Sequence, residues 1–204
     1  MTIPTQLTLL RLSLTFLIVG FLFMPGWLAK VVAFVTFLIA SFTDWLDGYL
    51  ARRWQQKTAL GILLDPIADK ILVLSVLFVF VLLNLAPLWM VVVIAIREIL
   101  ITGIRLWAAT RAVVLPADRE GKLKMVFQVL TILVLFLQLI IQQAVGLASM
   151  TTVLTVLGQL SLICLSVSMI LTLVSGIRFI GSLAVRLGEA KSFNSSVDKS
   201  DPSR

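Results

Sequence analysis

Histidine is absent from all 204 residues of this chain, and that absence removes a whole class of chemistry. No imidazole is available as a general base, as a phosphorylated intermediate or as a zinc ligand. Cysteine occurs once, at Cys164, so no disulfide can form within the chain. In its apolar run that thiol reads as a small core side chain. Charge is scarce as well: 13% of the residues are charged, against roughly 25% in an average soluble domain. Acidic residues number ten against 17 Lys and Arg, for a net charge of +7. With 60% hydrophobic residues and a mean hydropathy of +1.09, this composition predicts an integral membrane protein. The positive excess then reports topology and contact with anionic lipid rather than nucleic acid. The N-terminus, Met-Thr-Ile-Pro-Thr-Gln, lacks the basic region of a secretory signal, so the first apolar run reads as a retained helix. No internal repeat is visible, which counts against a transporter built from two related halves.

What is present is a series of apolar runs of the length that a spanning helix needs, roughly 20 residues. The expected fold class is all-α, a polytopic membrane protein with six transmembrane helices at about 7–24, 28–44, 62–83, 88–109, 123–144 and 152–180. Arg52, Arg53 and Lys57 fall in one link, Arg111, Arg119, Lys122 and Lys124 in another, and Arg178, Arg186, Lys191, Lys199 and Arg204 near the C-terminal end. The segments 84–87 and 145–151 carry no Lys or Arg. By the positive-inside rule both termini and both basic links are cytoplasmic, as in a bacterial inner or plasma membrane. Residues 1–187 read as one catalytic membrane domain, and 188–204, polar and Ser-rich, as a disordered cytoplasmic tail.

Within this apolar chain four aspartates crowd the stretch Asp44-Trp-Leu-Asp47-Gly48-Tyr-Leu-Ala51-Arg52, Gly61 and Asp65-Pro-Ile-Ala-Asp69. A carboxylate inside a span costs about 2.5–3.5 kcal/mol on insertion scales, so such groups are functional suspects. Asp44 and Asp47 are spaced i, i+3 and Asp65 and Asp69 i, i+4, so each pair shares a helix face. A short link makes the two helices antiparallel neighbours, and the four carboxylates converge at similar depth. One or two divalent cations relieve their repulsion, and oxygen-only ligands favour magnesium, manganese or calcium. Gly48 and Ala51 leave room for a bulky ligand near the backbone. Taken singly, such aspartates are ordinary helix caps and such small residues ordinary helix packing.

The pattern Asp-x2-Asp-Gly-x2-Ala-Arg-x8-Gly-x3-Asp-x3-Asp, matched here by Asp44, Asp47, Gly48, Ala51, Arg52, Gly61, Asp65 and Asp69, resembles the signature of the CDP-alcohol phosphatidyltransferases. The resemblance implies two divalent metals, Mg2+ or Mn2+, on the four aspartates. It makes Asp69 the base that takes the proton of the attacking hydroxyl. Gly48, Arg52 and Thr58 look like contacts of the nucleotide diphosphate, with Thr8, Ala51 and Gly61 in the same CDP-lipid site. It also implies a homodimer, and lipid tails lying in a groove that opens to the bilayer.

A second charged region is Arg97-Glu98, then Gly103-Ile-Arg105, then Gly121-Lys122-Leu-Lys124-Met-Val-Phe-Gln128. Arg97 and Glu98 fall inside the fourth span, where charges must pair. The plain reading pairs Glu98 with Arg97, Arg105 or another helix for structure alone. The pattern resembles the family members that use glycerol 3-phosphate, and this implies an acceptor-phosphate pocket of Arg105, Arg111, Lys122 and Lys124. The implied reaction is transfer of the phosphatidyl group of CDP-diacylglycerol to glycerol 3-phosphate, releasing CMP. Thr2, Thr5 and Met125 depart from the usual Asn, Asn and Thr of those members, while Pro4, Thr8 and Arg11 are kept. Cardiolipin synthesis and phosphatidylinositol phosphate synthesis therefore stay open. A divalent-cation transporter is the alternative of another class, and Arg52, Arg53 and Lys57 beside the aspartates would repel its cargo. A catalytically dead lipid-binding scaffold would have lost motif aspartates, and none is lost.

Overall fold

A computed structural model describes the backbone of residues 3–54, 59–110, 119–145 and 151–199, and the side chains of 6, 8–43, 67–108, 123–144 and 151–182. Six helices follow one another among the described residues: α1 (Ile3–Phe23), α2 (Trp27–Trp54), α3 (Ala59–Leu82), α4 (Leu88–Thr110), α5 (Arg119–Val145) and α6 (Thr151–Lys199). These match the six expected runs in order, and the described residues include no strand. Two helical stretches, Leu123–Ala144 and Thr151–Ser182, are long and apolar enough to cross a membrane, while Thr8–Phe23 and Trp27–Thr43 are shorter apolar stretches. In α3 and α4 the apolar run is interrupted by Asp65, Asp69 and Lys70 and by Arg97, Glu98 and Arg105. Large apolar side chains such as Phe16, Leu82 and Ile177 stand exposed, at 78%, 68% and 72%. An apolar surface on that scale suits lipid rather than water.

Several serine and threonine hydroxyls inside these helices turn back on the carbonyl one turn earlier. Thr15 donates to Arg11 at 2.8 Å, Thr36 to Val32 at 2.7 Å and Thr131 to Phe127 at 2.7 Å. Each hydroxyl is thereby satisfied without water. The helix ends are closed locally too. After α3, Asn84 takes a left-handed backbone (φ 59°). Its N–H donates to Val81 and that of Leu85 to Phe80, both at 2.9 Å. This is a Schellman closure with asparagine in place of the usual glycine, and Pro87 then blocks any continuation. Between α1 and α2 the turn passes through Gly26 at φ 93°, where a side chain would be strained.

Lys30 stands apart from the basic clusters, just inside the start of α2. The structure explains it. Lys30 is buried, and its ammonium donates to the carbonyls of Leu22 and Met24, the latter at 2.7 Å. It caps the C-terminal end of α1, where the helix dipole favours a positive charge.

The core gathers around Phe136 of α5. Its ring meets Phe34 and Phe37 of α2 at 5.5 and 5.7 Å and Phe80 of α3, edge-on, at 5.1 Å. Ile18 and Leu22 of α1 and Val91 and Ile94 of α4 belong to the same buried cluster. Among the packed pairs, α2 meets α1 and α5, and α3 meets α1, α4 and, less extensively, α5. α1 packs along both α2 and α3, so the two aspartate-bearing helices are joined through shared neighbours. The most extensive packing joins α5 to α6, where the small buried side chains Ser161, Ser168, Thr172 and Ser175 line one face of α6. α6 also continues past residue 187 to Lys199. The stretch expected as a disordered tail is thus helical backbone to that point, because Glu189, Ala190 and Lys191 favour helix and the first proline is Pro202.

Replacing Lys30 by methionine keeps the aliphatic stem but leaves the end of α1 uncapped. Hydrogen bonds from a charged donor contribute about 2 kcal/mol, so the variant is expected to lose stability of that order and to unfold at a lower temperature in detergent. An unchanged melting temperature would contradict the capping role.

Candidate active site

The aspartate motif lies on helical backbone throughout its described length. Asp44, Asp47, Gly48, Ala51 and Arg52 belong to the C-terminal half of α2, and Gly61, Asp65 and Asp69 to the first half of α3. Asp44 lies ten residues before the end of α2 at Trp54, and Asp69 ten residues after the start of α3 at Ala59. At 1.5 Å per residue both are about 15 Å along their helices from the α2–α3 connection. The side chains of Asp44, Asp47, Gly48, Ala51, Arg52, Gly61 and Asp65 lie outside the described residues, and so does all of Thr58. Among the described residues no group of three or more aspartate, glutamate, cysteine or histidine side chains gathers. Asp69 is the motif carboxylate whose surroundings are described. It is half-buried, and its Oδ2 stands 3.3 Å from the ammonium of Lys70.

Thr8 of α1 is buried, and with Arg11 and Thr15 it forms a buried polar row on one face of the helix, at i, i+3 and i+7. Arg11, at 1% exposure, is the largest of these side chains. Since α1 packs on both α2 and α3, this row lies on the helix that the two aspartate-bearing helices share.

Beside Asp69 runs the charge network of the site. Lys70 also reaches Oε2 of Glu98 on α4, at 3.1 Å. Oε1 of Glu98 receives Nη1 of Arg97, at 3.1 Å, and the ammonium of Lys124 from α5. Glu98 is only 2% exposed, so its charge is met entirely by protein cations. Arg97 in turn donates through Nη2 to the hydroxyl of Ser175 on α6. Its side chain passes over Gly176 so closely that a methyl group there would come within 3.2 Å of Nε. Four helices, α3 to α6, thus meet at one carboxylate and one guanidinium.

The four expected acceptor cations divide. Lys124 is buried, with its ammonium on Glu98. Arg105 is exposed, and its guanidinium lies over the ring of Phe179 of α6, 5.5 Å from the centroid. The Lys122 side chain and all of Arg111 lie outside the described residues. Glu98 pairs with Arg97, as one plain reading held, and with Lys70 and Lys124 rather than Arg105. Lys70 escaped the sequence reading. Its signal was a cation directly after a motif aspartate inside an apolar run, where a charge requires a partner.

An apolar groove of about 760 Å³ starts at this network. Its floor is the α3 face carrying Lys70, Leu74, Phe78 and Leu82, and its walls come from α1 and α4, including Phe16 and Ile99. From Lys70 to Leu82 the floor runs roughly 18 Å, at 1.5 Å per residue. The groove thus joins a charged end to a long apolar body.

Two kinds of comparison bear on this arrangement. A family model described as CDP-alcohol phosphatidyltransferase matches residues 1–157, which carry the whole motif and α1 to α5. A Bacillus subtilis (strain 168) protein named CDP-diacylglycerol–glycerol-3-phosphate 3-phosphatidyltransferase is 37% identical over 147 residues, covering 66% of this chain and 76% of that protein. A Salmonella choleraesuis (strain SC-B67) protein of the same name is 43% identical over 110 residues, 52% of this chain and 60% of that one. A Yersinia pestis (strain Pestoides F) protein, again so named, is 41% identical over 112 residues, 53% and 61%. The chain therefore spans about three fifths of the length of the Salmonella and Yersinia relatives.

Gly176→Val would push two methyl groups against Arg97. Overpacking of this kind costs typically 1–3 kcal/mol. The expected outcome is a fall in melting temperature for Gly176→Val and a smaller one for Gly176→Ala. Equal stability of Gly176→Val and the parent would show that Arg97 is not held over α6.

Proposed function

The chain belongs to the CDP-alcohol phosphatidyltransferase family, and on that premise we propose that it transfers the phosphatidyl group of CDP-diacylglycerol to glycerol 3-phosphate, releasing CMP. What carries the reading is a coincidence in one chain. All eight motif positions are present, and relatives at 37–43% identity are named for this donor and this acceptor. The apolar groove that starts at Lys70 supports a lipid-linked donor, and the cations of α4 and α5 support a phosphorylated acceptor. The working unit in this reading is a homodimer in a bacterial inner or plasma membrane. Each chain crosses six times, with its active site and both termini on the cytoplasmic side.

Divalent-metal dependence is general in the family. The donor set fits such an ion, because the chain has no histidine, and carboxylate oxygens suit hard cations such as Mg2+ or Mn2+. Asp44, Asp47, Asp65 and Asp69 would hold two of them, and a bound pair neutralises charge on the phosphoryl oxygens. The remaining work falls to side chains. Asp69 accepts the proton of the acceptor hydroxyl through a carboxylate oxygen. Arg52 offers planar paired donors to the donor's diphosphate, with Gly48, Ala51 and Gly61 giving backbone-close space and Thr8 and Thr58 further contacts. Arg105, Arg111, Lys122 and Lys124 bind the acceptor phosphate. With no histidine to carry a phosphoryl group, direct in-line transfer needs no covalent enzyme intermediate.

Purified protein is expected to release CMP from CDP-diacylglycerol only with glycerol 3-phosphate and Mg2+ or Mn2+ present, and to stop when EDTA is added. Faster turnover with inositol phosphate or phosphatidylglycerol in an acceptor panel would reassign the acceptor. General-base contributions are about 10²–10⁴-fold, so Asp69→Asn should lower kcat at least hundredfold. Full activity in that variant would remove Asp69 from the role of base.

A further inference from the structure

We propose that Glu98 is the positioning residue of this site, a single buried carboxylate that sets the spacing between the proton acceptor Asp69 and the acceptor-side cation Lys124. The inference rests on the transfer reaction proposed above.

The two oxygens of Glu98 face different ways. Oε2 takes Lys70, at 3.1 Å, and Lys70 in turn holds Oδ2 of Asp69 at 3.3 Å. Oε1 takes Lys124, together with Arg97 at 3.1 Å. One oxygen thus serves the α3 side and the other the α5 side. Neighbouring residues on a helix point in different directions, so Lys70 does not meet Asp69 by default. Its ammonium has to be drawn across, and Glu98 sits on its far side to do so. With Oδ2 engaged, the carboxylate of Asp69 has one rotamer to keep and Oδ1 to offer.

A structural counterion would need less. One cation suffices to neutralise a buried glutamate, and the Arg97 partner is already on the same helix. Here cations from α3 and α5 are added, and both come from segments that the reaction uses. Lys70 follows the motif aspartate, and Lys124 belongs to the Gly121-Lys122-Leu-Lys124 segment. Breaking such a cluster leaves buried charge unmatched, which is strongly destabilising. Stability alone therefore cannot separate a positioning role from a fold-holding one, and the length of the side chain can. Glu98→Asp keeps the charge, so the cluster stays neutralised and the fold is held, but it is one methylene shorter, so it cannot hold the α3 and α5 cations at the parent spacing. Glu98→Gln keeps the length but turns an amide NH2 toward one of the cations.

The experiment measures CMP release, thermal unfolding in detergent and separate KM values for the two substrates. The parent protein is run first on the acceptor panel, and the variants are compared on the acceptor that it turns over best. Glu98→Asp is expected to melt near the parent temperature while its kcat falls roughly tenfold or more, as misplacement of reacting groups does. Its KM for the acceptor rises while that for CDP-diacylglycerol stays within about twofold, because Lys124 stands on the acceptor side and no contact of the nucleotide lipid is altered. Lys70→Met should reproduce the loss in kcat, and Lys70→Arg should recover part of it. Parent-like kinetics in Glu98→Asp, or losses in every variant that track only the unfolded fraction, would overturn the positioning role. A parent protein that releases no CMP with any acceptor would overturn the proposed reaction and this inference with it.

Discussion

The carboxylate of Glu98 is the point on which the charged end of this bundle depends. It is buried, and a buried charge is tolerated only where partners replace its water. Here the partners come from three helices, Lys70 from α3, Arg97 from α4 itself and Lys124 from α5. Arg97 extends the tie to α6 through Ser175, and Gly176 is small so that the guanidinium can pass. None of these helices can slide by a turn without stranding a charge. The network therefore gives the bundle a register that its apolar surfaces alone, smooth and interchangeable, do not impose.

Above that network the bundle is held by shape. Phe136 meets rings from α2 and α3, and a buried face of α6 carries small hydroxyl-bearing residues. Several interior hydroxyls, that of Thr15 among them, turn on their own helix, and Lys30 satisfies the end of α1. These polar groups are thus settled within one or two turns. Among the described residues, the printed ion pairs that cross between helices gather at Lys70, Glu98 and Lys124.

Much of this was legible in the residues. The six apolar runs became six helices because length and hydropathy alone dictate that choice in a lipid setting. The aspartate motif is a local pattern on two helices, and i, i+3 and i, i+4 spacing declares a shared face. The partners of Glu98 were only half legible. Arg97, its neighbour in sequence, was among the readings, whereas Lys70 and Lys124 lie on other helices at separations that no local spacing rule covers. Lys70 had the further disguise of standing beside Asp69, which reads as a local pair. The packing of α1 along both α2 and α3 was hidden for the same reason, since only the full set of apolar faces decides it.

By itself, then, the chain of residues determined the all-helical architecture, the family and the residue types available for chemistry. Oxygen ligands and no imidazole follow from composition, and the motif from fixed spacing. The tertiary structure decided which cation answers which carboxylate. It committed Lys124 to Glu98, laid Arg105 on Phe179 and opened an apolar groove from Lys70 along α3. Helix formation is governed by neighbours a few residues away, while charge pairing in a bundle is governed by which helices come to lie side by side.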